Sequence, residues 1–212
     1  MHPYDCPNWE YSQHPDRHVI PQRVAAILVN LAKGTLDTAD VATDTRREHG
    51  QIFDGLSPVG YEYYAGHYRG ENFKCLRFYP VAVQGDPRVG AYPASVNFLM
   101  KELSAELRAG LLALDGNVLL PVKDKLRYAI AIACNVFVHF LTIHPYANGN
   151  GHAGRLIVWC ILGRYGYWPQ QWPVDPRPDP PPPNPPYIEL IARYRNGDRE
   201  PLESYMVQIL SV

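Results

Sequence analysis

The sequence is most constrained where one apolar helix ends and the next begins. In the first segment, residues 126 to 141, apolar side chains recur at steps of three and four: Leu126, Ile130, Ala133, Phe137 and Leu141. This spacing predicts one buried face of a helix that starts near Pro121. His144 falls on the same face, so its ring is expected to point inward. Because proline disfavours helical geometry in the residue before it, Pro145 ends the helix at His144.

Glycines mark the start of the second segment. Gly149, Asn150 and Gly151 precede an apolar run at residues 156–159 that suits a buried helix. The start of a helix offers unpaired backbone N–H groups and the positive end of the helix dipole, and glycine lets an anion approach the backbone. The pattern therefore predicts an anion site at this corner.

Two side chains of the second helix are placed to reach the same anion. Arg155 lies one turn into the helix, and helical side chains lean back toward the N-terminus. His152 is three residues earlier on the same face. A glycine corner, a core histidine or a surface cation would each be an ordinary feature on its own. Their joint spacing is not needed for a simple corner, and we interpret it as an active site.

The residues from His144 to Arg155 resemble the signature of the Fic family, His-x-Phe-x-Asp/Glu-Gly-Asn-Gly-Arg-x-x-Arg. In order, the positions that correspond are His144, Tyr146, Asn148, Gly149, Asn150, Gly151, His152 and Arg155. This chain departs from the signature where Tyr146 replaces Phe, Asn148 replaces the acid and His152 replaces the first Arg.

The resemblance implies a mainly α fold, a Fic-like helical bundle with a short β-hairpin flap beside the active-site loop. Within a single domain we expect an N-terminal arm and helix at 1–36 and a core with flap and motif at 37–168. A Pro-rich connector at 169–186 and C-terminal helices at 187–212 follow. The arm up to residue 18 is expected to be irregular.

The resemblance also implies an activity. It is the transfer of a nucleoside monophosphate, by default AMP from ATP, to a Ser, Thr or Tyr hydroxyl of a target protein, with release of pyrophosphate. His144 would be the catalytic base, because an imidazole with a pKa of about 6.5 is matched to neutral pH. The residues that would bind the nucleotide's phosphates are Gly149, Asn150, Gly151, His152 and Arg155.

Two departures affect cofactor and phosphate binding. The family's acid ligates Mg²⁺, whereas Asn148 offers only a neutral carbonyl oxygen, so we expect weak magnesium binding. His152 is shorter than arginine and mostly neutral at pH 7. An adjacent triphosphate would favour its protonated form, which would still bind phosphate, or His152 indicates a different donor. Other phosphate-linked groups, namely UMP, GMP, phosphate or phosphocholine, and a non-catalytic nucleotide- or partner-binding module remain as alternatives.

Segments upstream of the motif also resemble family elements. Residues 46–53 are similar to a helix in which a histidine supports the fold, so His49 is predicted to be structural. Residues 65–69 resemble the turn that precedes the family's hairpin flap. Residues 73–83 are rich in aromatic and β-branched side chains, which suits a short hairpin. Without the resemblance, a plain surface ribbon would be the preferred interpretation. A target protein would add a strand to the flap, contacting Phe73, Lys74, Cys75, Leu76, Arg77 and Phe78.

The remaining helices follow from apolar periodicity and from proline and glycine positions. We predict helices at 21–33, from 37 or 38 to 53, at 93–107, at 187–194 and at 201–210, with a connection at 110–117. Ten prolines between Pro169 and Pro186 exclude a helix. They favour a polyproline connector along the surface over a ligand for another protein's aromatic groove.

Composition and motifs limit the kinds of partner and the location that we expect for this chain. A net charge of −1 gives no basic footprint for nucleic acid, and with no run of eighteen apolar residues we expect neither a membrane span nor a signal peptide. Four cysteines without metal-type spacing favour reduced thiols and a cytoplasmic location, with export as an effector left open. No Ser or Thr has Glu four residues later, so the inhibitory pattern of many family members is not found in the sequence. Either an inhibitor is a separate protein, or the enzyme is not restrained in that way.

Overall fold

The computed structural model describes residues 6–81, 86–178 and 186–210. Within these ranges the chain is mainly helical and contains no β-strand. Its α-helices are α1 Ile20–Ala32, α2 Thr38–Thr43, α3 Arg46–Phe53, α4 Pro93–Gly116, α5 Val122–Ile143, α6 Asn150–Gly163, α7 Tyr187–Arg195 and α8 Glu200–Leu210. The predicted helical class is confirmed.

Helix α5 is the centre of the bundle. It contacts α4, α6, α7 and α8, while α2 packs on α4 and α6, and α1 on α3 and α6. By length and composition alone α5 could cross a membrane. Here its apolar residues, Ala133, Phe137 and Phe140 among them, are buried against the neighbouring helices, as in the core helix of a globular fold.

The corner between α5 and α6 forms where the sequence predicts it. His144 leaves the helix with φ 55° and ψ 61°, and its backbone N–H still donates to the carbonyl oxygen of Phe140 over 2.9 Å. Helix α6 begins one residue after Gly149, which has φ 76°. The predicted end of the first helix and start of the second are both confirmed.

Two helix predictions need correction. The single helix expected to end at Phe53 is broken into α2 and α3, because the Asp44 carboxylate accepts the Arg46 N–H over 3.1 Å and Thr45 is drawn to Tyr146. The connection expected at 110–117 is instead, up to Gly116, the last part of α4. Leu111 and Leu114 are buried there, so core packing continues the helix.

The predicted hairpin flap is wrong within the described part of this segment, which excludes residues 82–85. Leu76–Phe78 is a short 3₁₀ helix, and the residues before it form turns. Cys75 and Leu76 are fully buried, and Phe73 stacks on Tyr63 with ring centroids 4.8 Å apart. Because consecutive residues are buried, the segment does not have the alternate exposure of a free ribbon.

The prediction of reduced cysteines is wrong for two of the four. Cys6 and Cys75 form a disulfide that links the N-terminal arm to the segment before the 3₁₀ helix Leu76–Phe78. Cys134 and Cys160 are free thiols buried in α5 and α6. The pairing joins residues 69 positions apart, which spacing along the chain did not indicate.

The N-terminal arm and the described half of the Pro-rich segment are both more ordered than predicted. The arm contains 3₁₀ helices Tyr11–Gln13 and Pro15–Val19, and it buries Trp9, whose Nε1–H donates to the carbonyl of Leu56 over 2.8 Å. In the described half of the Pro-rich segment, Trp172 and Val174 are buried in the core. That half is therefore not a surface connector, and residues 179–185 lie outside the described residues.

Candidate functional site

A cavity of about 660 Å³ opens at the corner between α5 and α6. Three parts of the chain surround it: the motif, the N-terminal arm with the start of α1, and the first half of the Pro-rich segment. The lining residues are Tyr11, Ser12, Arg17, His18, Ile20, Pro21, His144, Asn148, Gly149, Asn150, Gly151, His152, Arg155, Asp175, Pro176 and Arg177. The structure thus brings the predicted base and all five predicted phosphate-binding residues to one cavity.

His144 is the cavity's candidate base. Its Nδ1 lies 3.2 Å from the carbonyl oxygen of Leu141, and because a carbonyl can only accept, Nδ1 carries the proton. The other ring nitrogen, Nε2, therefore holds the lone pair. Burial lowers the pKa of His144 to about 4, and the nearby charges of Arg69 and Arg195 act in the same direction. The ring is consequently neutral and able to accept a proton at neutral pH.

Arg69 holds the end of α5 in place. Its buried guanidinium donates to the carbonyls of His144 at 2.8 Å, of Ile143 and Ala91 at 3.0 Å, and of Tyr79 at 3.2 Å. A positive charge at the carbonyl end of a helix is favourable because of the helix dipole. From the sequence Arg69 is predicted only as part of a turn, and no local pattern indicates its contact with the His144 carbonyl.

His49 supports the loop from the other side. The N–H of Gly66 donates to its Nδ1 over 2.9 Å, so Nε2 carries the proton and donates to the Asn148 carbonyl over 3.0 Å. The ring stacks on Tyr146 with centroids 3.7 Å apart. Burial lowers the pKa of His49 to about 3, so it stays neutral. With both nitrogens bound to backbone groups, His49 has the structural role that was predicted.

Asn150 closes the loop rather than facing a ligand. Its Oδ1 accepts the N–H of Tyr146 over 2.8 Å, and its Nδ2 donates to the carbonyl of the same residue over 2.9 Å. The side chain is 2% exposed. Since both ends of the amide are engaged, Asn150 contributes to the cavity through its position at the start of α6.

Gly149 is required by both conformation and space. Its φ of 76° is one that L-residues with side chains rarely adopt. A Cβ at this position would lie 2.6 Å from Cζ of Phe53 and 2.8 Å from Nε2 of His49. Among the described residues no side chain caps the start of α6, and Gly149, Asn150 and Gly151 line the cavity there.

His152 forms a hydrogen-bonded chain with two residues from distant segments. Its Nε2 lies 2.9 Å from a carboxylate oxygen of Asp175, so Nε2–H donates. Its Nδ1 then accepts from the Tyr11 hydroxyl, at 3.4 Å. Burial lowers the pKa of His152 although Asp175 opposes this, and the hydrogen bond from His152 lowers the pKa of Asp175. His152 is thus an uncharged, fully engaged ring.

Arg155 forms part of the cavity wall. Its Nε and Nη2 donate to the carbonyl of Val174 over 2.9 and 2.6 Å, and the residue is 3% exposed. The guanidinium keeps its charge while bound to a neutral acceptor. This contact fixes the Pro-rich segment against α6, so that Asp175 reaches His152.

Asn148 is poorly arranged for a metal ion. Its Oδ1 accepts the Gly149 N–H over 2.7 Å, and its Nδ2 donates to the carbonyl of Trp9 over 2.7 Å. Within the described residues no group of three or more His, Cys, Asp or Glu could hold a metal. The side chain instead ties the N-terminal arm to the motif loop.

Sequence reasoning missed the cavity residues that lie outside the motif. Tyr11 and Arg17 come from the arm, and Asp175 and Arg177 from the Pro-rich segment. Neither segment has apolar periodicity, and only the fold brings them to α6. The predicted flap residues, Phe73, Lys74, Cys75, Leu76, Arg77 and Phe78, are not among the residues that line the cavity.

Comparison with known proteins places the motif in a family. The family model described as Fic/DOC family matches residues 42–162, more than half of the chain. The match includes α3, α4, α5 and nearly all of α6, and it excludes both segments that complete the cavity wall. Among curated proteins, none matches this sequence.

Proposed function

Because the chain belongs to the Fic/DOC family, we propose that it is a Fic-type transferase that moves a nucleoside monophosphate to a hydroxyl of a target protein. The default donor is ATP, with AMP transferred and pyrophosphate released. The observation that carries the proposal is the meeting of a neutral imidazole, the start of α6 and a guanidinium in one cavity.

His144 would take the proton from the attacking hydroxyl. Its Nδ1–H is held by the Leu141 carbonyl, which leaves Nε2 as the proton acceptor. As the oxygen attacks the α-phosphorus, a new P–O bond forms, the bond to the pyrophosphate oxygen breaks, and the hydroxyl proton moves to Nε2. General-base catalysis of this kind typically contributes about 10² to 10⁴ in rate.

The start of α6 would stabilise the charge that develops on the phosphate. Backbone N–H groups there and the positive end of the helix dipole favour an anion. A Cβ at position 151 would lie 3.0 Å from Nη1 of Arg155, so the guanidinium is close to this helix start. Arg155 would add a positive charge to the outer phosphates from the wall, still anchored to the Val174 carbonyl.

A magnesium ion is proposed only as a companion of the donor. The described residues do not fit a protein-built site, since Asn148 offers one neutral oxygen that already accepts from Gly149. In complexes with nucleotides, Mg²⁺ leans on the substrate's own phosphates and keeps several waters.

The protein target is proposed to contact the segment at residues 73–78, but not by adding a strand. Arg77 and Phe78 are exposed on the 3₁₀ helix, whereas Cys75 and Leu76 are buried. Binding would therefore use side chains rather than a backbone edge. Restraint by a separate inhibitor protein also remains a proposal. The disulfide between Cys6 and Cys75 removes the argument from reduced cysteines for a cytoplasmic location, so that location stays a proposal beside export as an effector.

The donor can be identified by labelling. The protein is incubated with a cell lysate and, in turn, each of the four nucleoside triphosphates labelled at the α-phosphate, and ATP labelled at the γ-phosphate. We expect α-label from ATP in protein bands, absent with His144→Ala. Label from UTP or GTP would identify a donor other than ATP. Label only from the γ position would indicate transfer of phosphate. If no donor gives label, a non-catalytic binding module is favoured.

His144→Asn is a useful second variant. Asn tolerates positive φ better than most residues, so it keeps the corner at φ 55° while removing the base. Loss of label in both variants, with unchanged helical circular dichroism, would assign the effect to chemistry rather than to folding.

A further inference from the structure

The cavity is positively charged within a chain that is slightly acidic. Three guanidinium groups, those of Arg17, Arg155 and Arg177, and one carboxylate, that of Asp175, lie among the residues that line it. The formal net charge of the whole chain is −1. A concave site with local positive charge attracts anions of more than one charge.

Helix α6 supplies only part of that charge. His152 is buried, its pKa is lowered by burial, and both of its nitrogens are engaged, so it adds no positive charge at neutral pH. Arg155 is charged but is fixed to the Val174 carbonyl. A ligand with several phosphates needs a further cation that can move to meet it.

Arg17 has the properties of that cation. It belongs to the 3₁₀ helix Pro15–Val19 and is exposed, and its Nη1 makes a long contact of 3.5 Å with the Ser12 carbonyl. The positive charge of Arg17 acts on the carboxylate of Asp175, which lines the cavity. After the hydrogen bond from His152, which is the main cause, Arg155 and Arg17 further lower the pKa of Asp175.

The backbone at Arg17 is held in place, although the arginine side chain itself is long and flexible. Trp9, a residue of the arm, is buried and its Nε1–H donates to the carbonyl of Leu56. The disulfide between Cys6 and Cys75 attaches the arm to the core as well. On the other side, Ile20 and Pro21 at the start of α1 line the same cavity. An anchored backbone with a mobile guanidinium suits a phosphate contact.

We propose that Arg17, from outside the region matched by the family, binds the outer phosphates of the donor nucleoside triphosphate. This inference rests on the proposed function and adds to it a residue from the N-terminal arm. The planar guanidinium matches phosphate oxygens with two parallel hydrogen bonds. It would distinguish a triphosphate from a monophosphate, which does not extend to the outer positions.

The test compares binding of ATP and AMP, measured by isothermal titration calorimetry, in wild-type protein and Arg17→Gln. Loss of a charge-assisted hydrogen bond predicts roughly ten- to hundredfold weaker ATP binding, with AMP binding changed less than about twofold. Arg127→Gln makes the same charge change at an exposed residue of α5 that lines a different cavity, and it should leave both affinities unchanged. Arg17→Lys should recover part of the loss.

The outcomes separate this inference from the proposed function. Unchanged ATP affinity in Arg17→Gln, with wild type binding ATP, would overturn the role of Arg17 and leave the transferase intact. Tighter ATP binding would overturn it too, since the arm would then be a cover over the cavity. If wild-type protein binds neither ATP nor, in the same titration, any of the other three triphosphates, both proposals fail.

Discussion

The backbone carbonyl of His144 accepts a hydrogen bond of 2.8 Å from Nε of Arg69, a guanidinium that is fully buried. The candidate base is thus held by a residue 75 positions earlier. The same guanidinium also holds Ile143, and its other donors reach Tyr79 and Ala91. A fully buried side chain therefore holds the end of α5, together with the backbone N–H groups of Gly90 and Ala91.

Replacing Arg69 by Met should destabilise the fold. The change keeps much of the volume but removes the donors to buried carbonyls, and we expect a loss of about 3 kcal/mol in the free energy of unfolding. Urea unfolding followed by circular dichroism measures it. Arg127→Met, at an exposed position, is the control and should stay within about 0.5 kcal/mol of wild type. A loss below 1 kcal/mol in Arg69→Met would contradict the role given to this residue.

Replacing Gly149 by Ala tests the start of α6. Positive φ at a non-glycine residue costs on the order of 1 kcal/mol, and the added Cβ would also meet Phe53 and His49. Gly166→Ala is a matched control, because Gly166 has φ 84° with open space around it. We expect Gly149→Ala to lose about 2 kcal/mol more than the control in urea unfolding. Equal losses would mean that the loop can move away from Phe53.

Reduction of the disulfide should loosen the arm. By the chain-entropy relation, a crosslink closing a loop of this length contributes up to about 4 kcal/mol. We therefore expect a lower melting temperature with dithiothreitol than without it. Cys6→Ser should melt at the reduced value and show no further effect of reductant. If wild-type protein melts at the same temperature under both conditions, the disulfide does not hold the arm.

The buried histidines predict lower stability in acid. His144 and His49 have folded pKa values of about 4 and about 3, below the ordinary value of 6.5. Between pH 6.5 and 4 the unfolded chain therefore binds protons that the folded chain does not, so the free energy of unfolding falls as the pH is lowered. His144→Gln should flatten this slope by up to about 1.4 kcal/mol per pH unit. An unchanged slope would show that His144 titrates normally when folded.

The corner of the motif could be predicted from the sequence because its causes are local. Pro145 ends α5, and the apolar steps of three and four place His144 on the buried face. Gly149 marks the start of α6 through its backbone freedom. These residues act within one or two helical turns, so their spacing in the sequence is sufficient to predict the corner.

The rest of the site depends on contacts between distant residues. Asp175 reaches His152 in a segment that the bond from Arg155 to the Val174 carbonyl helps to fix, and no periodicity signals either contact. The hairpin prediction was wrong for a related reason. Aromatic and β-branched residues near Cys75 pack on the core and the arm. Because their composition also resembles that of a strand, composition alone does not distinguish the two structures.

The most direct test of the central claim is the balance between target modification and pyrophosphate. Purified target, once found by labelling, is incubated with ATP, and adenylated hydroxyls are counted by mass spectrometry beside released pyrophosphate. The account predicts one pyrophosphate per adenylated hydroxyl with wild-type protein and neither product with His144→Asn. Adenylation that persists in His144→Asn, or target modification without pyrophosphate release, would contradict it.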